Sequence, residues 1–333
     1  MTKLMTDPDI PYSQVDRAIA LGFFDGVHLG HQALMAALRD LARENDLLPS
    51  VYTFQQAPGS LFQKNFPGLL ETASDRYQSL SELGAAEIIA QPLLPEILEC
   101  DPDYFMEEIL CKRLRAKALV VGRDYTFGYQ AAGTVADLRA FADSHGIALE
   151  VVGDYIWQEQ VLSSSLIRQM IRKGEVREAN SLMHHDFHHL GKVSKGKQLG
   201  RRLDFPTINL KTDPQLVSLA YGVYLSKVRF IQNGQPVELP AISSVGVRPT
   251  VTDNGIELSE SYILADSFPL YGDEVCVTFL DFMRPEYKFP SILAMQEQVL
   301  SDIAEARERH KREQVLKLSH RAGGQQADSV SII

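Results

Sequence analysis

Up to about residue 183, short apolar runs alternate with segments whose apolar residues recur at helical spacing. Runs at residues 18–21, 50–54, 87–90, 118–121 and 148–152 predict buried strands; patterns at 75–83, 102–113, 135–145 and 165–172 predict helices, as do Leu34, Met35, Leu38, Leu41 and Ala42 on one face of a further segment. Such alternation predicts a parallel sheet covered by helices on both faces, with ligands gathering at the carboxyl ends of the strands. Beyond about residue 187 the pattern changes to short strands at 190–193, 207–210, 222–230, 241–247, 258–265 and 274–282. Asn233-Gly234 between two of these runs is a hairpin signal. Six short strands without intervening helices predict a small antiparallel barrel, and Ile292, Met295, Val299 and Ile303 on one face after Pro290 predict a helix that closes it. The expected division is 1–186, 187–322 and a polar, disordered tail at 323–333.

Composition narrows the function classes. A chain of 333 residues fits two domains, and 45% hydrophobic residues is ordinary for a globular protein. The net charge of −10 argues against a nucleic-acid scaffold, so any basic site must be local. No run approaches the ~18 apolar residues of a membrane span, the first nine residues lack an apolar leader core, and a cytoplasmic protein is expected. Cys100, Cys111 and Cys276 are odd in number and widely spaced, which fits buried thiols better than disulfides or a zinc ribbon.

The sharpest local signal is Gly22-Phe23-Phe24-Asp25-Gly26-Val27-His28-Leu29-Gly30-His31, between the first predicted strand and a helix. A glycine-rich strand-to-helix turn exposes backbone N–H groups at the positive end of the helix dipole and lets a phosphate approach. His28 and His31, at i, i+3 spacing, fall on one face of the first turn, where a triphosphate would lie.

This segment resembles the His-x-Gly-His box of the nucleotidyltransferase superfamily, and its Phe-Asp-Gly-Val-His-x-Gly-His form is similar to that of the bacterial bifunctional riboflavin kinase/FAD synthetase family. The resemblance implies a Rossmann-like α/β domain that adenylylates FMN, followed by a barrel that phosphorylates riboflavin, both with MgATP; flavins are then substrate and product rather than prosthetic groups. Two further segments carry it. Gly122-Arg123-Asp124-Tyr125-Thr126-Phe127-Gly128 is similar to the family's Gly-x-Asp-Phe-x-Phe-Gly loop, and Ser163-Ser164-Ser165-Leu166-Ile167-Arg168 to its Ser-Ser-Thr-x-Ile-Arg. Read from the residues alone, the three serines serve equally as a helix cap or, with Arg168, as phosphate ligands. The resemblance implies that His28 and His31 act catalytically and that Gly22, Phe24, Asp25, Gly26, Gly30, Asp124, Phe127, Ser163, Ser164, Ser165 and Arg168 bind ATP or FMN. No protein nucleophile is required when the FMN phosphate attacks the α-phosphorus of ATP; positioning and charge stabilisation suffice.

In the second half, residues 191–209 hold three glycines and five basic residues and end in Phe205-Pro206-Thr207-Ile208-Asn209, resembling the riboflavin kinase signature. Thr207 and Asn209 alternate in a strand and share a face, with oxygens suited to Mg²⁺. Gly246-Val247-Arg248-Pro249-Thr250 matches the family's Gly-x-Arg-Pro-Thr, and Glu260 stands twelve residues before Gly272, the spacing of the family's catalytic glutamate. The resemblance assigns Glu260 the general-base role and Gly191, Gly196, Gly200, Arg201, Phe205, Pro206, Arg248 and Arg284 to ATP or flavin.

The chain departs from the family at three points: Ala57 replaces a histidine, Asp204 a glycine, and Tyr262 a histidine. A chain active in only one half, and a non-catalytic flavin-binding regulatory protein, therefore stand beside the bifunctional reading. His184/His188 and His185/His189 form two i, i+4 pairs that admit zinc or nickel, but they align with a family linker without a metal role, and only Asp186 offers a carboxylate nearby in sequence. The small molecules ATP, riboflavin, FMN and FAD are the expected partners; no nucleic acid, membrane or protein partner is implied, and weak self-association is left open.

Overall fold

The computed structural model describes residues 2–7, 9–194, 205–247, 257–265, 270 and 272–322. The chain forms two compact units, one running to Ser164 and including Met183–His185, the other comprising Ser165–Leu182 and the described residues from Asp186 onward.

In the first unit, β1 (Lys3–Met5), β2 (Arg17–Leu21), β3 (Leu48–Phe54), β4 (Glu87–Gln91), β5 (Ala116–Gly122) and β6 (Ala148–Val152) form one sheet in the order β1-β4-β3-β2-β5-β6. Every pairing is parallel. Strand alternation divides the core in two. Ala18, Ala20, Val51, Ile88 and Val120 point to one face, where Leu34, Met35, Leu38 and Ala42 of α1 (Leu29–Glu44) cover them. Ile19, Leu21, Tyr52, Ile89, Leu119 and Val121 point to the other, against residues 105–110 and Leu138 and Phe141 of the helix Val135–His145. β1 escapes the hydrophobic pattern because a three-residue edge strand buries little. The predicted helix at 102–113 is instead a short α-turn, Pro102–Tyr104, followed by a π-helical stretch, Phe105–Arg113, and Leu114 N–H donates to the Ile109 carbonyl five residues back.

The second unit is an antiparallel six-stranded sheet, curled and nearly closed: β7 (His188–Lys192), β8 (Ile208–Lys211), β9 (Gly222–Gln232), β10 (Gln235–Val247), β11 (Glu257–Ile263) and β12 (Glu274–Pro285), in the order β7-β12-β9-β10-β11-β8. Ser194 N–H donates 2.8 Å to the Asn209 carbonyl, a bridge between the two edges. Asn233 and Gly234 take φ of 52° and 76°, the left-handed pair a two-residue hairpin needs. Ser226, Ser243 and Ser261 link through hydroxyls 2.7 Å apart on one face. On the other, Ile303 and Ala306 of the closing helix Ile292–Ala322 pack on Phe205, Val223, Leu225 and Ile242. The predicted tail at 323–333 lies outside the described residues. Among the described residues no helix is long and apolar enough to cross a membrane.

Candidate functional site

The turn after β2 holds three residues with positive φ: Phe24 at 62°, Gly26 at 78° and Val27 at 32°. For Phe24 and a β-branched valine this is strained, on the order of 1–3 kcal/mol each, and it persists only if the surroundings over-determine it. They do. Thr53 Oγ1 donates to the Phe23 carbonyl (3.2 Å), Ser164 Oγ to that of Asp25 (2.8 Å) and Gln32 Nε2 to that of Val27 (3.0 Å). Asp25 Oδ1 accepts from Leu70 N–H (3.0 Å), and Glu71 Oε1 accepts from Gly26 N–H (2.9 Å). A Cβ on Gly26 would lie 2.6 Å from Leu70 Cδ1, so glycine is needed there for space as well as for φ.

The turn delivers both histidines to the start of α1. His28 is the N-cap rather than a member of the first turn; its Nδ1 accepts from His31 N–H at 3.4 Å, which puts the neutral ring's proton on Nε2. The rings stack at 3.7 Å and 19°, and the edge of Phe24 meets His31. Gly30 makes room for this, since a Cβ there would meet the His28 ring at 3.1 Å. Burial pushes His28 down to about 4, and His31 falls well below the usual histidine range through burial and then through the nearby His28 and Arg76. Both imidazoles are neutral at pH 7.

The positive charge here comes from Arg76, which the hydrophobic pattern of its helix hid. It lies on α2 (Ala73–Glu82) and is completely buried, with Nη2 donating 2.8 Å to the Phe54 carbonyl and the guanidinium 4.1 Å over the Phe23 ring. Its Nε and Nη1 have no hydrogen-bond partner. A buried cation with open N–H groups, close enough to lower the His31 pKa, is an anion-receiving arrangement, because leaving those donors unmet is costly. Nearby Glu71 is held well above the usual carboxyl range by burial and then by Asp25. The sequence signal that could have found Arg76 is its place between the Thr72 cap and a helix face that otherwise buries Ser79 and Leu80.

The other first-half residues divide between anchoring and exposure. Phe127 is buried in the core beside Phe105, and Gly133 exists for it, since a Cβ there would meet the ring at 2.6 Å. Asp124 is exposed on that loop. Ser164 begins the helix Ser164–Lys173 and pins the histidine turn; Ser163 precedes it, Ser165 is exposed, and Arg168 lies one turn further along. Gly22 sits where a Cβ would press on Phe24 at 3.1 Å. Ala57 is buried at the N-cap position of the short helix Pro58–Phe62 and makes no side-chain cap bond.

In the barrel the register assembles the site. Asn209 on β8 lies directly opposite Glu260 on β11, and Glu260 opposite Ser244 on β10. Directly opposed residues of an antiparallel pair share a face, so the Asn209 amide and the Glu260 carboxylate are neighbours. Thr207, two residues before Asn209, is half-buried just ahead of β8. Phe205 packs under the closing helix, Pro206 is exposed, and Gly191 lies in β7 where a Cβ would come 3.0 Å from Leu210. Arg284 is fully engaged: Nε and Nη2 grip Asp302 at 2.7–3.1 Å, Nη1 donates to the Pro285 carbonyl, and Tyr287 lies 4.7 Å away. It ties strand to helix. Tyr262 packs against the cluster beneath that helix. Gly196, Gly200, Arg201, Asp204 and Arg248 lie outside the described residues.

The i, i+4 histidine pairs do not form, because the chain at 183–187 is not helical and β7 starts at His188. His189 is buried between Phe187 and Phe279, and burial pushes it to about 3.

Comparison with known proteins adds an independent line. Residues 11–166 match the family model described as FAD synthetase, and residues 183–310 match that described as riboflavin kinase. The chain is 32% identical over 292 residues to the bifunctional riboflavin kinase/FMN adenylyltransferase of Haemophilus influenzae, covering 87% of this chain and 93% of that one. It is 30% identical over 298 residues to the enzyme of the same name from Listeria monocytogenes, covering 89% and 93%. A crystal structure from Streptococcus pneumoniae, described as a macrolide-efflux protein, superposes with a TM-score of 0.81 at 28% identity, covering 92% of this chain and 98% of that one.

Proposed function

The chain belongs to the bifunctional riboflavin kinase/FMN adenylyltransferase family, and from that membership we propose how its two halves divide the work. The protein phosphorylates riboflavin to FMN and adenylylates FMN to FAD. We assign the second step to residues 1–186 and the first to residues 187–322.

In the first half, a phosphate oxygen of FMN attacks the α-phosphorus of ATP, the bond from that phosphorus to the bridging oxygen breaks, and pyrophosphate leaves. His28 and His31 meet the polyphosphate as neutral hydrogen-bond donors, and Arg76 supplies the fixed positive charge through its open Nε–H and Nη1–H groups. The strained turn keeps the imidazoles in place before the nucleotide arrives, which limits reorganisation during reaction.

In the second half, Glu260 takes the proton of the ribityl hydroxyl as its oxygen attacks the γ-phosphorus of ATP, and ADP leaves. Thr207 and Asn209 offer a hydroxyl and an amide oxygen, hard neutral donors of the kind that hold Mg²⁺ on a nucleotide. Bound there, the ion would neutralise phosphate charge. The observation that carries this assignment is the pairing of Asn209 with Glu260, because it sets a base beside a metal-binding oxygen on adjacent strands. The ATP requirement and the three free cysteines support a cytoplasmic location.

The test is chromatographic separation of flavins after incubation with MgATP. Riboflavin should give FMN and then FAD, and supplied FMN should give FAD with pyrophosphate. Conversion of riboflavin that stops at FMN, or failure of both substrates, would refute the two-site reading.

A further inference from the structure

One cluster lies apart from both nucleotide sites. Glu82 ends α2, and His184 and His185 follow the helix Val176–Leu182. Neighbouring side chains in a helix or strand point apart, yet a bend at residues 183–185 turns these two imidazoles toward each other, with ring centroids 4.6 Å apart. Both Nε2 atoms approach the same carboxylate oxygen: Glu82 Oε2 is 3.1 Å from His184 and 3.3 Å from His185. All three donor atoms lie within 4.8 Å of one another. Four ligands at about 2.0–2.1 Å around a tetrahedral zinc ion stand about 3.3 Å apart, so the trio needs little movement to close on one. Gln78 Nε2 donates 2.8 Å to the other carboxylate oxygen, Oε1, and so orients Oε2 toward the imidazoles, as an outer partner of a metal ligand does. The three side chains are 22–44% exposed, which leaves a route for the ion and for a water as fourth ligand.

We propose that Glu82, His184 and His185 bind one zinc ion, which clasps the segment leading into the barrel to the end of α2. Imidazole and carboxylate ligands suit Zn²⁺ far better than Mg²⁺, so the site is distinct in chemistry from the nucleotide metal. Its role is structural: the ion cross-links positions about 100 residues apart and stiffens the helix that carries Arg76.

Equilibrium dialysis of the untagged full chain with Zn²⁺ should find one equivalent bound, and zinc at about a hundredfold over Kd should raise Tm by roughly 5 °C, reversibly with EDTA. Glu82→Gln and the double variant His184→Ala/His185→Ala should each lose that equivalent and the shift, whereas His188→Ala should keep both. FMN and FAD formation by the full chain reports separately on the assigned catalytic sites. Stoichiometric zinc that survives the double variant would overturn the proposal. So would a wild-type chain that binds no zinc while Glu82→Gln changes only the pH dependence of Tm, since the trio would then be an ion pair and nothing more.

Discussion

In the function proposed above, the histidine turn and the barrel site hold a nucleotide's phosphates by opposite structural means. The turn is irregular backbone: Phe24 and Val27 sit at positive φ, and bonds from Thr53, Gln32, Glu71, Leu70 and Ser164 hold them there. The barrel site is regular backbone, where strand alternation and register alone make Asn209 and Glu260 neighbours. Strain must be stabilised by distant contacts, whereas a ladder positions its side chains through bonds it makes anyway. The first site should therefore be sensitive to remote substitutions, and the second mainly to changes of its own functional groups.

The largest separation of the two is expected from Glu260→Gln. Removing a general base should lower FMN formation by roughly 10²–10⁴-fold while conversion of supplied FMN to FAD is unchanged. Equal loss of both activities would break the comparison. Arg76→Met should act in the opposite sense, lowering FAD formation by about 10²–10³-fold with FMN formation intact, because it removes the buried, unpartnered donors that the proposed function assigns to the polyphosphate. Partial recovery in Arg76→Lys would separate charge from packing. Gly26→Ala tests the strained frame alone. Its Cβ would press on Leu70 and occupy a φ of 78°, so we expect about 1–3 kcal/mol of destabilisation in urea titration and a lower FAD-forming rate, with no effect on FMN formation.

The last contrast is the pH dependence. His28 is buried with its pKa lowered from 6.5 to about 4, so the unfolded chain binds a proton that the folded chain refuses. Stability is then full above pH 6.5 and declines as pH falls toward 4, by about 3 kcal/mol in total for this group. His189 in the barrel unit, lowered to about 3, extends the same slope further into acid. His28→Asn should flatten the decline between pH 6.5 and 4 only for the unit that contains it, as followed by hydrogen exchange in each half.

Much of the architecture was legible because alternating apolar runs are imposed by burial itself. β2 to β6, the six barrel strands and the closing helix follow from whether apolar residues recur every second residue or at helical spacing. The edge strand β1 and the π-helical stretch were not, since one buries too little to leave a pattern and the other differs from an α-helix only in how its hydrogen bonds close. At the first site, His28 and His31 were legible as a spaced pair, whereas the burial of Phe127 beside Phe105 was not. Arg284 proved to be gripped by Asp302.

By itself the sequence determined two domains, their fold classes and the motifs that mark a histidine turn and a Thr-x-Asn strand, because these are local or periodic properties of the chain. Only the tertiary structure decided that the Arg76 charge acts on His31, that Glu260 faces Asn209, and that Glu82 meets His184 and His185. Each pairing joins residues about 50 to 100 positions apart. Sheet order and register create that proximity, and no local pattern encodes which distant side chain will share a buried space.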